Sequence, residues 1–277
     1  MKKATKLAAL VLAMTMLVSV FAACSNSGSA GDSNSNAASQ AAGQSSEAQA
    51  PAAGTELKFG TNAEFPPFEF VAANGVIGQY DGIDMAIAKQ IAEENGKTAV
   101  IENMEFDSLL VALQNGQIDA VIAGMTVTDE RKESVDFSTP YYTATQVMIV
   151  KEGSDITKAS DIADKKICVI QGYTGQTCMD EMGYPYEAFK KGTEAVLELV
   201  NGKCDVVVID SATAEKYVSD NQGLKIVEDP TAFEGEEYAI AVQKGNTELL
   251  NMINAAIEKK LADGTISSLA AQYAEAE

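Results

Sequence analysis

From about Thr55 onward the chain alternates two spacings of apolar residues. LKFGTN, residues 57–62, reads as a strand entering a turn. After FPPFEF and a glycine-rich hairpin, Asp84 to Asn95 carries apolar residues at Met85, Ile87, Ala88, Ile91 and Ala92. That spacing is an amphipathic helix, which Gly96 stops. Asp107 to Asn115 is a second helix, with Asp107 as N-cap, Leu109, Leu110 and Leu113 on one face, and Gly116 at its end. IDAVIAGMTVTDER, Ile118 to Arg131, then compresses three features: an apolar run closing on a glycine, two threonines, and acids with an arginine. It reads as a buried strand delivering its end to a helix start, with Thr128 as N-cap.

The same form occurs again. EAVLELVNGKCDVVVIDSA, Glu194 to Ala212, repeats DSLLVALQNGQIDAVIAGM, Asp107 to Met125. Asn115 with Gly116 matches Asn201 with Gly202, and Asp119 matches Asp205, each pair 86 residues apart. Two α/β units of similar build imply two lobes. Ligands in open α/β sheets sit beyond the carboxyl ends of the strands. Three such ends stand out: Gly124 to Thr126, Gln171 to Gly175 after the strand KICVI, and Asp210 with Ser211 after VVVI.

The first two ends carry groups suited to an anion, and the third an acid suited to an ammonium. Gly124 lets a ligand approach the backbone, Thr126 offers a hydroxyl, and Arg131 can grip a carboxylate with two parallel hydrogen bonds. Free amides and the Thr174 hydroxyl give the second end the same character. Asp210 is costly to bury at the end of an apolar strand unless something cationic meets it. Each has a plainer role when taken alone. Arg131 can pair with Asp129 or Glu133 in solvent, and Asp210 can cap the helix that begins at Ser211.

Composition narrows the classes. The chain has no histidine and no tryptophan, so a histidine-based nucleophile is excluded and zinc ligands shrink to cysteine and carboxylate. The sequence implies no catalytic residue, metal or cofactor. Lys2, Lys3 and Lys6 precede an apolar run from Leu7 to Ala23 that ends before Cys24, the layout of an export signal over residues 1–23. A retained transmembrane helix is the weaker alternative, since the run is short. Residues 24–54, rich in Ser, Ala, Gly, Asn and Gln, read as a flexible tether. The formal net charge is −20, and loss of a leader with three lysines and no acid takes it to −23. Such a body argues against nucleic acid and modestly favours cationic or neutral ligands. Cys168 and Cys204 each open an apolar strand, so neighbouring strands would let them meet as a disulfide; the plainer reading makes them and Cys178 small buried apolar residues.

These blocks together resemble the bacterial extracellular solute-binding proteins of the polar amino acid uptake family, which serve ABC importers. The resemblance covers nearly all of Leu57 to Tyr273. It rests on FPPFEF (65–70), GIDMAIAKQIAEENG (82–96), AGMTVTDER (123–131), VDFSTPYY (135–142), IQGYTG (170–175) and IDSATAEKY (209–217), in the family's order. Ile83 replaces that signature's aromatic residue and Ala86 its second acid. VFAAC, Val20 to Cys24, resembles a lipobox, with Phe21 in place of the usual leucine.

The resemblance implies an α/β, two-lobed periplasmic-binding-protein-like fold of type II with a hinge between lobes. Lobe one would comprise residues 55–143 and 240–277, and lobe two residues 144–239. The chain would cross near Tyr142 to Gln146 and near Glu236 to Ala241. It implies that Arg131, Thr126 and the Thr174 amide hold an α-carboxylate, that Asp210 with the Gly124 carbonyl holds an α-ammonium, and that Phe65 and Phe106 sandwich the side chain. Asn62 and Glu64 fall where the family tunes specificity, and Gln171 lies in a loop like that of cationic-ligand relatives. Cys24 would be lipidated, anchoring a monomer to the outer face of the membrane beside an importer permease. The same fold serves exported dehydratases, for which Glu64 or Glu69 would be the acid–base candidate, and sensor domains fused to a second module.

Overall fold

The structure, a computed structural model, describes residues 55–275. The expected leader, Cys24 and the tether lie outside the described residues. In chain order the strands and helices begin with β1 (Glu56–Thr61), β2 (Glu64–Phe65), β3 (Glu69–Val71), β4 (Tyr80–Asp81), α1 (Ile83–Glu94), β5 (Thr98–Asn103), α2 (Leu109–Gln114), β6 (Ala120–Val121), α3 (Asp129–Ser134) and β7 (Val135–Phe137). There follow β8 (Tyr142–Lys151), β9 (Ile167–Ile170), α4 (Thr174–Met182), β10 (Tyr186–Phe189), α5 (Gly192–Val200), β11 (Val206–Asp210), α6 (Ser211–Asp220) and β12 (Leu224–Val227). The chain closes with β13 (Gly235–Tyr238), β14 (Ala241–Gln243), α7 (Thr247–Ala262) and α8 (Thr265–Glu275).

Two sheets carry the two lobes. The first runs β5-β1-β6-β14-β7, the second β10-β9-β11-β8-β12, with β13 added to β8. In each, the strands followed by a helix run parallel and a returning strand pairs antiparallel. The apolar stripe of α1 is buried at Met85, Ile87, Ala88, Ile91 and Ala92, against β1, β5 and α8. Strand β9 and the apolar run of β11 up to Asp210 are buried along their length, as expected for parallel strands covered on both faces.

The internal repeat is present down to its hydrogen bonds. Gly116 and Gly202 both adopt positive φ, 69° and 70°, directly after α2 and α5, which only glycine does without strain. Asp119 Oδ2 accepts from the Lys58 amide and Asp205 Oδ2 from the Lys166 amide, both at 2.8 Å. In return Asp119 N and Asp205 N donate to the carbonyls of Lys58 and Lys166, both at 2.9 Å. Each aspartate clamps the start of its own strand to the strand beside it.

The two crossings between lobes lie side by side. β13 pairs antiparallel with the start of β8, from Gly235 opposite Thr145 to Tyr238 opposite Tyr142. Thr126, in the segment that follows β6, forms an isolated bridge to Tyr238. The hinge is therefore a hydrogen-bonded ribbon that touches the strand end singled out by the sequence.

Two sequence expectations shift. Asp107 does not cap α2: a 3₁₀ turn over Phe106–Ser108 precedes the helix, and the Asp107 carboxylate accepts from Gln171 Nε2 at 2.7 Å instead. Cys168 lies in β9, whereas Cys204 precedes the neighbouring β11 rather than opening it. All three described cysteines are free thiols, with Cys168 and Cys204 buried. Among the described residues no helix is long and apolar enough to cross a membrane, and no cluster of potential ligands suits a metal ion.

Candidate functional site

The three strand ends converge. Phe65, Phe106, Gly124, Thr126, Arg131, Thr174 and Asp210, seven of the ten residues expected at the site, line one cavity together with Tyr173. Its volume is about 10 Å³, near that of one water, so the lobes must part before anything larger enters. Gly124 belongs here for a steric reason. Its φ is +52°, and a Cβ at this position would sit 2.5 Å from the Phe65 ring. That ring is packed in turn on Phe68, Tyr173 and Tyr238, at centroid distances of 5.6, 5.3 and 6.3 Å.

Arg131 is the cation of the site. Thr128 caps its short helix, accepting from the Arg131 amide at 3.2 Å, which aims the side chain inward rather than towards Asp129 or Glu133. Nη1 donates to the Thr126 carbonyl at 2.6 Å and Nη2 to the Gly172 carbonyl of the other lobe at 2.9 Å. The guanidinium lies 5.3 Å over the Phe106 ring. Burial pulls its pKa below the ordinary value, opposed by the charges of Glu236 and Asp210, and it stays protonated.

Asp210 is the anion. It stands at the N-cap position of α6 but makes no side-chain cap bond. Its Oδ1 accepts from Tyr238 Oη at 2.6 Å. Burial, with a further contribution from the Glu236 charge, pushes its pKa up to about 7. An unpaired carboxylate in this position favours a cationic partner, since opposite charge offsets desolvation.

Behind the cavity wall Asp84 holds the Gly124 loop. Asp84 Oδ2 accepts from Gly124 N and from Tyr141 Oη, both at 2.8 Å. Burial pushes its pKa up to about 6. Glu69, wholly buried, is raised well above the usual carboxylate range by burial and by the Asp84 charge.

Three expected residues stand outside the cavity lining. Asn62 bridges the lobes, donating to the Met104 carbonyl at 2.9 Å and accepting from Tyr173 Oη at 3.1 Å. Glu64, expected where the family tunes specificity, is paired with Lys191 of the other lobe at 3.0 Å. Gln171 is exposed and bonded to Asp107 across the lobes. These positions form a rim that fastens one lobe to the other.

Sequence reasoning did not assign Tyr173, Gln146, Glu236 or Tyr238 to the site. Two left a trace. Gln146 is a polar residue inside the apolar run of β8, where an unpartnered amide is costly. Glu236 falls in the expected second crossing. Tyr173 and Tyr238 left none, since an aromatic beside a glycine or in a strand reads as core.

The family described as "Bacterial extracellular solute-binding proteins, family 3" matches residues 57–276. The chain belongs to this family. A probable histidine-binding protein of Neisseria gonorrhoeae is 35% identical to this solute-binding protein over 246 residues, 86% of this chain and 90% of the relative. A putative ABC transporter arginine-binding protein 2 of Escherichia coli (strain K12) is 35% identical over 221 residues, 77% and 88% of the two chains. Among solved structures, the arginine-, lysine-, histidine-binding protein ArtJ from the thermophilic bacterium Geobacillus stearothermophilus superposes with a TM-score of 0.74 at 34% identity, covering 79% of this chain and 94% of that one. The two-lobed type II α/β fold follows from this likeness and from the sheets described above. The solute-binding protein is a binder and not an enzyme, as its relatives are. The two carboxylates offered for the dehydratase alternative do not reach the cavity, Glu69 being sealed behind it and Glu64 tied to Lys191.

Proposed function

We propose that this solute-binding protein captures a polar α-amino acid between its lobes and delivers it to an ABC importer. The observation that carries this is the opposition of Arg131 and Asp210 across one cavity walled by Phe65, Phe106 and Tyr173. A cation and an anion facing a cavity between aromatic rings suit the carboxylate and ammonium of a zwitterion. The Thr126 hydroxyl and the Gly124 carbonyl would assist at the ammonium, and the Thr126 and Thr174 amides at the carboxylate. The lobe boundaries 55–143 with 240–277, and 144–239, are supported by the membership of the strands in the two sheets.

The side chain of the ligand would run between Phe65 and Phe106 towards Asn62, Glu64 and Gln171. The groove outside the cavity carries Asp107, Asp129, Glu130, Asp180 and Glu181 against the single cation Arg131. This favours a cationic side chain ahead of a neutral polar one and repels an acidic one. The relatives named for arginine and histidine support the same order. Calorimetric titration of arginine, lysine, glutamine and glutamate into the ligand-stripped protein tests this. Arginine or lysine is expected to bind tightest and glutamate not at all, and tight glutamate binding would overturn the charge argument. Replacing Glu64 by Gln is expected to weaken arginine several-fold, about 1 kcal/mol, because a charge-assisted contact at a rim shared with Lys191 contributes little more.

Outside the described residues, the proposal includes cleavage before Cys24, lipidation of that residue, and anchoring of a monomer to the outer face of the cell membrane. Its support is the lysine-flanked apolar run ending in VFAAC and the extracellular character of the family. Cys24→Ser is expected to shift the protein from the membrane fraction to the medium or to leave the precursor uncleaved. Unchanged fractionation together with a normal processed mass would count against it.

A further inference from the structure

The hinge ribbon carries a carboxylate directly beneath the cavity. Glu236 Oε2 accepts from Thr126 Oγ1 at 2.8 Å, from Thr174 Oγ1 at 2.6 Å and from Gln146 Nε2 at 3.4 Å. Thr126 follows β6 of the first sheet, whereas Thr174 opens α4 beside the second, and Gln146 lies in β8. One oxygen atom therefore gathers hydroxyls from both lobes. Glu236 does not line the cavity; it reaches these hydroxyls from the hinge side.

The hydrogen count fixes what the hydroxyls can do. A hydroxyl has one proton to give and two lone pairs that accept. Thr126 Oγ1 gives its proton to Glu236, so only acceptor capacity remains on its cavity side. Thr174 Oγ1 is set in the same direction, accepting from Gln146 Nε2 at 3.1 Å while donating to Glu236. Were the carboxylate absent, each hydroxyl could turn its proton into the cavity and become a donor there. The Glu236 charge also acts on Asp210, making the head-group region more anionic than Asp210 alone would.

We propose that Glu236 is a positioning residue for the ligand's ammonium group: by taking the Thr126 hydroxyl proton it holds that oxygen as an acceptor beside Asp210, and by binding Thr174 it joins the two lobes at that point as they close. The proposal deepens the amino-acid reading and rests on it. Its consequence is discrimination. A ligand with an α-ammonium supplies protons to Thr126 Oγ1 and Asp210. The same ligand with hydrogen in place of the amine leaves both acceptors unmet, which costs more than merely losing a contact. A hinge brace with no bearing on the head group would weaken both ligands alike.

The test compares L-arginine with 5-guanidinopentanoate, its amine-free analogue, and L-glutamine with 4-carbamoylbutanoate. Titration and competition calorimetry are run on the full chain, unaltered and as Glu236→Gln, Glu236→Asp and Glu236→Ala. The amide of the Gln variant can donate to Thr126 Oγ1 and so reverse the hydroxyl, at nearly unchanged volume. Amino-acid affinity is expected to fall about tenfold or more in the Gln and Ala variants, with the amine-free analogues changing less than about threefold. Glu236→Asp, which keeps the charge, is expected to recover part of the preference. In a Thr126→Val background the Gln substitution is expected to leave the preference where it stands, because the hydroxyl through which Glu236 acts is gone. An equal loss for amino acids and analogues, or unchanged amino-acid affinity, overturns the proposal. If neither amino acid binds the unaltered chain, the amino-acid reading itself fails and this inference falls with it.

Discussion

Arg131→Ala is expected to weaken amino-acid binding by about a hundredfold or more while leaving the protein folded. Removing one member of a partly buried charge pair costs on the order of 3 kcal/mol, because the partner's charge is left desolvated, and 3 kcal/mol corresponds to more than a hundredfold in dissociation constant. Within the protein the guanidinium's hydrogen bonds go to the carbonyls of Thr126 and Gly172, which water can satisfy once the lobes part. Melting temperature should therefore move little, and calorimetry should lose most of its signal. Arg131→Lys keeps the charge without the two-pronged geometry and is expected to fall between the two. Near-normal affinity of the Ala variant would remove the carboxylate clamp from the proposed mechanism.

Asp210→Asn is expected to cost a similar factor, for the opposite charge. The amide oxygen still accepts from Tyr238 Oη, so the substitution removes charge while the shape stays nearly the same. Proton linkage gives this prediction a second signature. The pKa of Asp210 stands at about 7, raised by burial and then by Glu236, and lowered in part by the bond from Tyr238. The other charged groups close by are Arg131, which faces it across the cavity, and Glu69 behind the wall. A bound ammonium favours the ionised form, so the bound pKa lies below 7 and binding releases a proton near neutrality. Affinity is expected to rise with pH through about 7 and to level off above about 8. Calorimetry in buffers of different ionisation enthalpy reads the proton directly, and the Asn variant should lose the release. The folded state without ligand shows the reverse sign. Its Asp210 binds a proton more readily than the unfolded chain does, so the buried carboxylate subtracts stability as pH rises from about 4 towards 7. The Asn variant should consequently melt above the parent at pH 8, with the gap closing near pH 5.

The fold was readable where the sequence carries periodicity. α1 announces itself through its apolar spacing, and the duplicated unit through Asp119 and Asp205, whose matching hydrogen bonds explain why both aspartates follow an Asn-Gly turn. The site was readable wherever a residue is out of place for its element, as with Asp210 at the end of an apolar strand or Arg131 beside a capped turn. It was unreadable where the decisive fact is a partner distant in the chain. Nothing local to Glu64 predicts Lys191, 127 residues on. Nothing local to Asp107 predicts that it leaves its helix unclamped to meet Gln171, 64 residues away. Glu236 lies 110 residues from Thr126 and looks, in sequence, like one more acid on an acidic surface.

The side-by-side crossings at β8 and β13 also have a mechanical meaning. Two separated tethers would let the lobes slide, twist and approach at many angles. A two-stranded ladder resists stretching and sideways shear, because each would break hydrogen bonds between the strands, and it yields mainly by bending. The opening of this protein should then have essentially one degree of freedom, so Arg131 and Asp210 would return to the same mutual registry at every closure. How far the jaw shuts would be set by what lies between Phe65 and Phe106. A receptor that senses only the closing angle could in this way tell a filled binder from an empty one without touching the cargo.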